Sequence, residues 1–243
     1  MSDYKNLNRP PAMEVVFEVL FSDENNGNIE GLCVETPDFK ERFPNRNELF
    51  LFEAKLGSQE NSTSKSSLIG FSYDNGEELS QFRQDGFSYN KLGNYPGWDQ
   101  FIKNAIDVYQ HYPFQSENIK RCGLRFINVI EIEKYNGVPK DYFNVFLEAD
   151  ESASISDIDK YMFKYSCIDE KQDCQINVNF RLSDISKSLE AKFILDIDVL
   201  KTSVDSVQKI EDLVDIFTTM RNSKNRIFFS FLKKKVLEYY DEQ

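Results

Sequence analysis

Histidine is almost missing from this chain: His111 is the only one among 243 residues. One imidazole excludes a His-rich metal centre and leaves a single ordinary general base, which removes the central residue of most hydrolase templates. The cysteines, Cys33, Cys122, Cys167 and Cys174, form no CxxC spacing and have no histidines nearby, so they read as buried thiols and not as a zinc site. Cys167 and Cys174 bracket a polar turn and could face each other across a hairpin, but a reducing compartment disfavours a bridge. Basic charge is also scarce, with 29 Lys and Arg against 41 Asp and Glu and a formal net charge of -12. That balance argues against broad nucleic-acid binding and against an anionic membrane surface, so any basic site must be local. Long hydrophobic runs are lacking as well. Val15 to Phe21 and Ile227 to Leu232 are interrupted by Glu18 and Ser230, far short of the roughly 18 residues of a membrane span. Residues 1–11 are polar and end in Pro10-Pro11, without the apolar centre of a signal peptide, so a cytoplasmic location is expected. Phosphate-loop, dinucleotide-loop, nucleophile-elbow and zinc motifs are all absent, and no catalytic residue, metal or cofactor is expected.

What the chain does have is apolar mass. Hydrophobic residues make up 40% of it and 21 are Phe, enough for a real core without covalent staples. The patterning is mixed. Met13 to Phe21 reads as a buried strand closed by the polar loop 22–27. Thr36 precedes Pro37 as an N-cap, giving two helical turns that stop at Pro44. Strands are expected over Glu48 to Lys55, Leu68 to Tyr73, Leu79 to Arg83 and Phe87 to Asn90, with a Ser/Asn-rich loop over 57–67 and turns at Asp74-Asn75-Gly76 and Asp85-Gly86. From Trp98 the period becomes helical, with Trp98, Phe101, Ile102, Ala105, Val108, Tyr109 and Tyr112 on one face up to Pro113.

The order then repeats. Arg121 to Glu133, Tyr161 to Ile168, Gln175 to Leu182 and Ala191 to Leu200 read as strands, while Asp141 to Glu148 suits a short helix or a strand. A long helix closes the chain, opened by a capping-box pattern at Asp205 and Gln208 and striped by Val207, Ile210, Leu213, Val214 and Phe217. The expected class is α+β: residues 1–116 form one β-α-β3-α-like half and residues 117–243 a second. Both would pack antiparallel sheet on long helices in one compact unit, saddle-like or helix-grip-like.

One stretch carries a resemblance. Gly70-Phe71-Ser72-Tyr73-Asp74-Asn75-Gly76 is followed by Phe87-Ser88-Tyr89-Asn90-Lys91-Leu92, then Tyr95-Pro96-Gly97-Trp98-Asp99-Gln100-Phe101. With Pro10-Pro11 and Glu14 before it and Arg121-Cys122-Gly123-Leu124-Arg125-Phe126-Ile127-Asn128 after it, this order resembles a sporadically distributed prokaryotic family of unknown function. The resemblance covers residues 10–132 and is looser beyond them. It implies a bacterial cytosolic protein associated with mobile or defence genes, and it brings no catalytic residues with it.

The candidate site residues come from the patterning. Strand alternation over Arg121 to Glu133 puts Arg121, Arg125, Ile127 and Val129 on one face and Leu124, Phe126, Asn128 and Ile130 on the other. A guanidinium among apolar neighbours needs a carboxylate or carbonyl partner, so Arg121 and Arg125 are either structural ion pairs or anchors for an anion, with Asn128 a hydrogen-bonding group opposite. Trp98 and Tyr89 belong to an aromatic cluster that either packs a loop on the core or offers a stacking platform. The acid-free stretch Ile216 to Leu237 carries Arg221, Lys224, Arg226 and Lys233 to Lys235. There Arg221 and Lys224 fall inside the apolar stripe of Phe217, Met220, Phe228 and Phe231, which requires them to snorkel or the helix to bend near Asn222 to Asn225. Together these point to a binding or accessory protein that recognises a protein or a small anionic ligand, with room for a homodimer. The alternative is a metal-dependent nuclease or nucleotide-processing enzyme using Asp196, Asp198 or His111.

Overall fold

The computed structural model describes residues 7–22, 29–55, 63–113, 119–146, 160–185, 190–202, 204, 207 and 209–241. Among them, the run Ala12–Phe21 forms strand β1, and a strand-free stretch leads to the short helix α1, Pro37–Arg42. The Thr36 hydroxyl accepts from the Phe39 amide at 3.2 Å, so the cap read from sequence is made. Four strands follow: β2 (Asn45–Lys55), β3 (Thr63–Asp74), β4 (Glu78–Arg83) and β5 (Gly86–Leu92). Helix α2 is Trp98–Tyr109, and β6 runs Ile119–Ile132. After a single-turn helix at Pro139–Asp141 come β7 (Met162–Asp169), β8 (Cys174–Ile185) and β9 (Ala191–Lys201), then α3 (Ile210–Phe231) and α4 (Lys234–Asp241).

The nine strands of the described residues form one antiparallel sheet in the order β2-β3-β4-β5-β1-β6-β9-β8-β7. Strands β1 to β5 supply one side of it and β6 to β9 the other, and β1 pairs with β6 at the centre. The fold is α+β. Alternation sends Phe17, Phe87, Leu124, Phe126, Ile197 and Val178 to a single face, where all are buried. Helices α2 and α3 lie against that face, α2 on β5 and α3 across β6, β8 and β9. Aromatic stacking knits the layers together: the Phe17 and Phe217 rings sit 3.9 Å apart between β1 and α3. Gly70 allows β3 to approach β4, since a Cβ there would collide with the Phe82 carbonyl and the Arg83 backbone.

Several expectations need correction at their ends. The segment from Asp141 is neither a helix nor a paired strand. The single turn ends at Asp141 and Phe143 makes one isolated bridge to Leu232, while residues 147–148 lie outside the described residues. Residues 23–27, 57–62, 114–118, 205 and 208 also lie outside them, and with them most of two expected loops, the join between halves and the Asp205/Gln208 capping box. The described helix starts at Ile210, where the Asp212 carboxylate accepts from the Lys209 amide at 3.1 Å. It continues unbroken through Asn222 to Asn225. The break falls later, at Leu232, which takes an extended backbone (φ −94°, ψ 141°). Among the described residues, no helix is long and apolar enough to cross a membrane.

Candidate functional site

The stripe of α3 that faces the sheet carries Leu213, Phe217, Met220, Phe228 and Phe231, all buried. Four residues after Met220 the same stripe presents Lys224, and Arg221 stands at its edge. This part of the helix lies where the β6 face, the start of α2 and the N-terminal segment meet. They enclose a cavity of about 370 Å³ whose walls include Tyr95, Trp98, Phe126 and Phe228. Pro10 and Pro11 close one side, and Asn8, Asn128 and Asn225 contribute amides.

Lys224 is only 7% exposed. Its Nζ is 4.0 Å from the centre of the Phe126 ring and 5.3 Å from that of Phe228. Ring faces attract a cation but are a poor substitute for water or a carboxylate. No hydrogen-bond or ion-pair partner for the amine occurs among the described residues. Burial, reinforced by the neighbouring Arg221 charge, pushes the ammonium down from its ordinary 10.5 to about 7. Near neutrality a large fraction of it is therefore free amine, an unusual state for a lysine.

The surroundings favour negative charge. The Arg221 guanidinium lies over Trp98, its carbon 5.4 Å from the ring centre. The first turn of α2 opens on the same cavity through Gly97 and Trp98, and Gly97 offers no side-chain cap to the leading amides. Asp99 is the acid in that turn. The Asn128 amide nitrogen donates to the Leu195 carbonyl at 2.9 Å, which fixes its orientation in the cavity wall. The Asn225 side chain is buried without a partner among the described residues, so one more hydrogen-bonding group stands ready. A phenol completes the wall: burial pushes the Tyr95 hydroxyl upward, so it stays protonated and can only donate or accept a hydrogen bond.

The five sequence-derived candidates do not gather in one place. Trp98 and Asn128 line this cavity. Arg121 and Arg125 point to the opposite face of the sheet, which carries no helix among the described residues, along with Glu14, Glu18 and Asp198. There Arg125 makes a bidentate pair with Asp196, Nε and Nη2 at 2.8 and 2.7 Å from the two carboxylate oxygens. Arg121 donates to Glu18 at 2.6 Å, and Arg83 shares the same carboxylate at 3.2 Å. Both arginines are thus engaged by acids of this chain. The side chain of Arg125 is 47% exposed, with no helix of the described residues over it, whereas the sequence placed it among water-excluding neighbours. Tyr89 is fully buried, with its hydroxyl donating to Glu78 at 2.5 Å, and belongs to the core.

Of the residues named for metal chemistry, Asp196 and Asp198 stand two apart on β9, both beside Arg125. Burial pushes the Asp198 carboxyl up, with the Asn177 hydrogen bond and Arg125 pulling against it. Asp196 is held by Arg125, while His111 packs against Phe39, the ring centres 4.7 Å apart and tilted by 44°, with Nδ1 2.7 Å from the Val34 carbonyl. Among the described residues no three His, Cys, Asp or Glu side chains come together to hold a metal ion.

Sequence reasoning named Trp98 and Asn128 but not the cations beside them as site residues. The signal was present, since Arg221 and Lys224 fall within an apolar stripe. Snorkelling or a helix bend was the expected resolution, and burial of Lys224 is the observed one. Neither a family model nor a curated protein matches this chain.

Proposed function

We propose that this chain is a binding protein for a small anionic ligand, and that the cavity between α3, the start of α2 and residues 7–12 is where the ligand sits. The observation that carries this reading is Lys224, a buried amine without a partner among the described residues, on the wall of an aromatic cavity beside a permanent cation. A carboxylate or phosphate there would supply the counter-charge that the fold does not, and Trp98, Tyr95 and Phe228 would flank its apolar part. We further infer that the sheet wraps α3 as in a helix-grip, which is supported by the packing of α3 across β6, β8 and β9. A bacterial setting rests on the sequence resemblance.

A thermal-shift series with phosphate, citrate, nucleoside monophosphates and small hydroxy acids tests the reading. At least one class should raise the melting temperature saturably, and Lys224→Met should lose that response while remaining folded. A flat response to every anion would overturn it. A second reading, a protein partner, is favoured by one feature: β2 is an outer strand and exposes Phe50, Leu51 and Phe52, the last 77% accessible. Large apolar side chains on an unpaired edge suit strand addition by a second copy. Light scattering of the wild type and Phe52→Lys would show a dimer converted to a monomer if that edge is used.

A further inference from the structure

The proposed anion site contains two cations of different character, and their difference has a chemical use. Arg221 remains a guanidinium under all ordinary conditions and can hold a carboxylate. Lys224 lies deeper, packed against Phe126 and Phe228, with no acid paired to it among the described residues. An amine sequestered in an apolar wall beside a second positive charge is the arrangement that turns lysine from an ion-pairing group into a nucleophile. If the site existed only to hold an anion, an exposed or acid-paired lysine would do so without the cost of burial.

We infer that the ligand is an oxo acid, and that Lys224 captures it as a reversible imine while Arg221 holds its carboxylate. This rests on the anion-binding reading above and narrows it to a substrate class. The Nζ lone pair attacks the carbonyl carbon, the C=O π electrons move onto oxygen, and a proton passes from nitrogen to that oxygen to give a carbinolamine. Loss of the hydroxyl with a second proton, as water, leaves a C=N bond to Lys224, and hydrolysis reverses each step. No oxidant or reductant is consumed. The aromatic walls limit the water available for the reverse step, and a cavity of about 370 Å³ has room for an oxo acid of several carbons.

The test uses the full chain with glyoxylate, pyruvate or 2-oxoglutarate and sodium cyanoborohydride, which reduces an imine to a stable secondary amine. Intact mass and peptide mapping then read the adduct. The expected result is one equivalent per chain, on Lys224, with a labelling rate that reaches half its maximum at about pH 7. Near pH 7 the free-amine fraction of Lys224 exceeds that of an exposed lysine by about a thousandfold. Even as the weaker nucleophile it should be labelled more than about tenfold faster than the rest. Lys224→Met should abolish the specific adduct. Arg221→Gln should slow capture of glyoxylate by about tenfold or more relative to capture of propanal, which has no carboxylate for the guanidinium to hold. Absence of a Lys224 adduct, while oxo acids and their hydroxy counterparts stabilise the protein equally, overturns the imine and leaves the anion site standing. No adduct and no stabilisation overturns both. Adducts spread evenly over exposed lysines, with the ordinary alkaline pH profile, also overturn the imine.

Discussion

Replacing Lys224 with methionine should make the ligand-free protein more stable, and by an amount that depends on pH in a calculable way. The two side chains are similar in length and volume, so the exchange leaves the packing against Phe126 and Phe228 nearly intact and removes only the amine. The amine is pushed down from 10.5 to about 7 in the folded state. Each tenfold loss of proton affinity corresponds to about 1.4 kcal/mol. Below about pH 7 both folded and unfolded chains carry the proton, and burial of the charge costs the folded state its full amount, about 4 to 5 kcal/mol. Between about pH 7 and 10.5 the unfolded chain binds a proton that the folded chain does not, so this contribution to stability rises with pH, and above that range the penalty is gone.

The gain in stability of Lys224→Met over the wild type should therefore be about 4 kcal/mol at pH 7 and shrink to about 2 kcal/mol at pH 9. Cys33 and Cys122 are pushed up to about 12 by burial and oppose the rise in each protein alone, but they cancel in the difference. Urea titrations of both proteins at pH 7, 8 and 9 measure it, and at pH 7 the melting temperatures should differ by about 10 °C. A lower midpoint for the variant, or a difference that does not change with pH, would refute the buried, unpaired amine.

Two further outcomes follow from the ion pairs. Arg125→Ala removes a bidentate partner from Asp196, but the half-exposed site admits water, so the loss should be about 1 to 2 kcal/mol in a urea titration, against the 3 to 5 of a fully buried pair. A cost above that range would mean that the helix-free face is drier than its exposure indicates. For Glu78, burial raises the carboxyl, but hydrogen bonds from Arg42 at 2.9 and 2.8 Å and from Tyr89 outweigh it, and the net direction is down. Its stabilisation is present above the ordinary 4.5 and lost as pH falls through the lowered folded value, so Arg42→Ala should destabilise the protein near neutrality and flatten the acid limb of its stability profile.

Strand order and helix placement were readable to different degrees, for physical reasons. Local signals were strong: the β1 run, the Asn75-Gly76 turn with Gly76 at φ 85°, and the Thr36-Pro37 cap each report on neighbours within a few residues. Long-range pairing left less trace. Alternation on β6 sorted Arg125 from Phe126, yet it could not tell which face the helices would cover, because both faces carry apolar residues. The partner that decides the fate of Arg125 is Asp196 on β9, 71 positions away, brought near by the pairing of Ile127 with Asp196. The helix break at Leu232 has no proline or glycine to announce it. It is imposed by tertiary contacts: the Asn144 amide donates to the Phe231 carbonyl at 2.8 Å and the Lys233 amide to the Tyr142 carbonyl at 2.9 Å. Those bonds replace helical ones and turn the chain into α4.

Lys224 shows why a conflict between local rules is worth following to its structural resolution. The sequence offered two ways to relieve a lysine in an apolar stripe: extending the side chain to water, or bending the helix. Neither occurs, since α3 runs unbroken from Ile210 to Phe231 and the amine stays inside. Relief comes from deprotonation, the remaining way to lower the energy of a buried ammonium without a counter-ion. That solution is poor for stability, because a methionine at the same position would fill the stripe without a titration cost. It is good for chemistry, because it leaves a large fraction of the amine uncharged near neutral pH on the wall of an accessible aromatic cavity beside a second positive charge. A position where stability and reactivity pull in opposite directions, and where the fold takes the less stable option, is where function should be sought first.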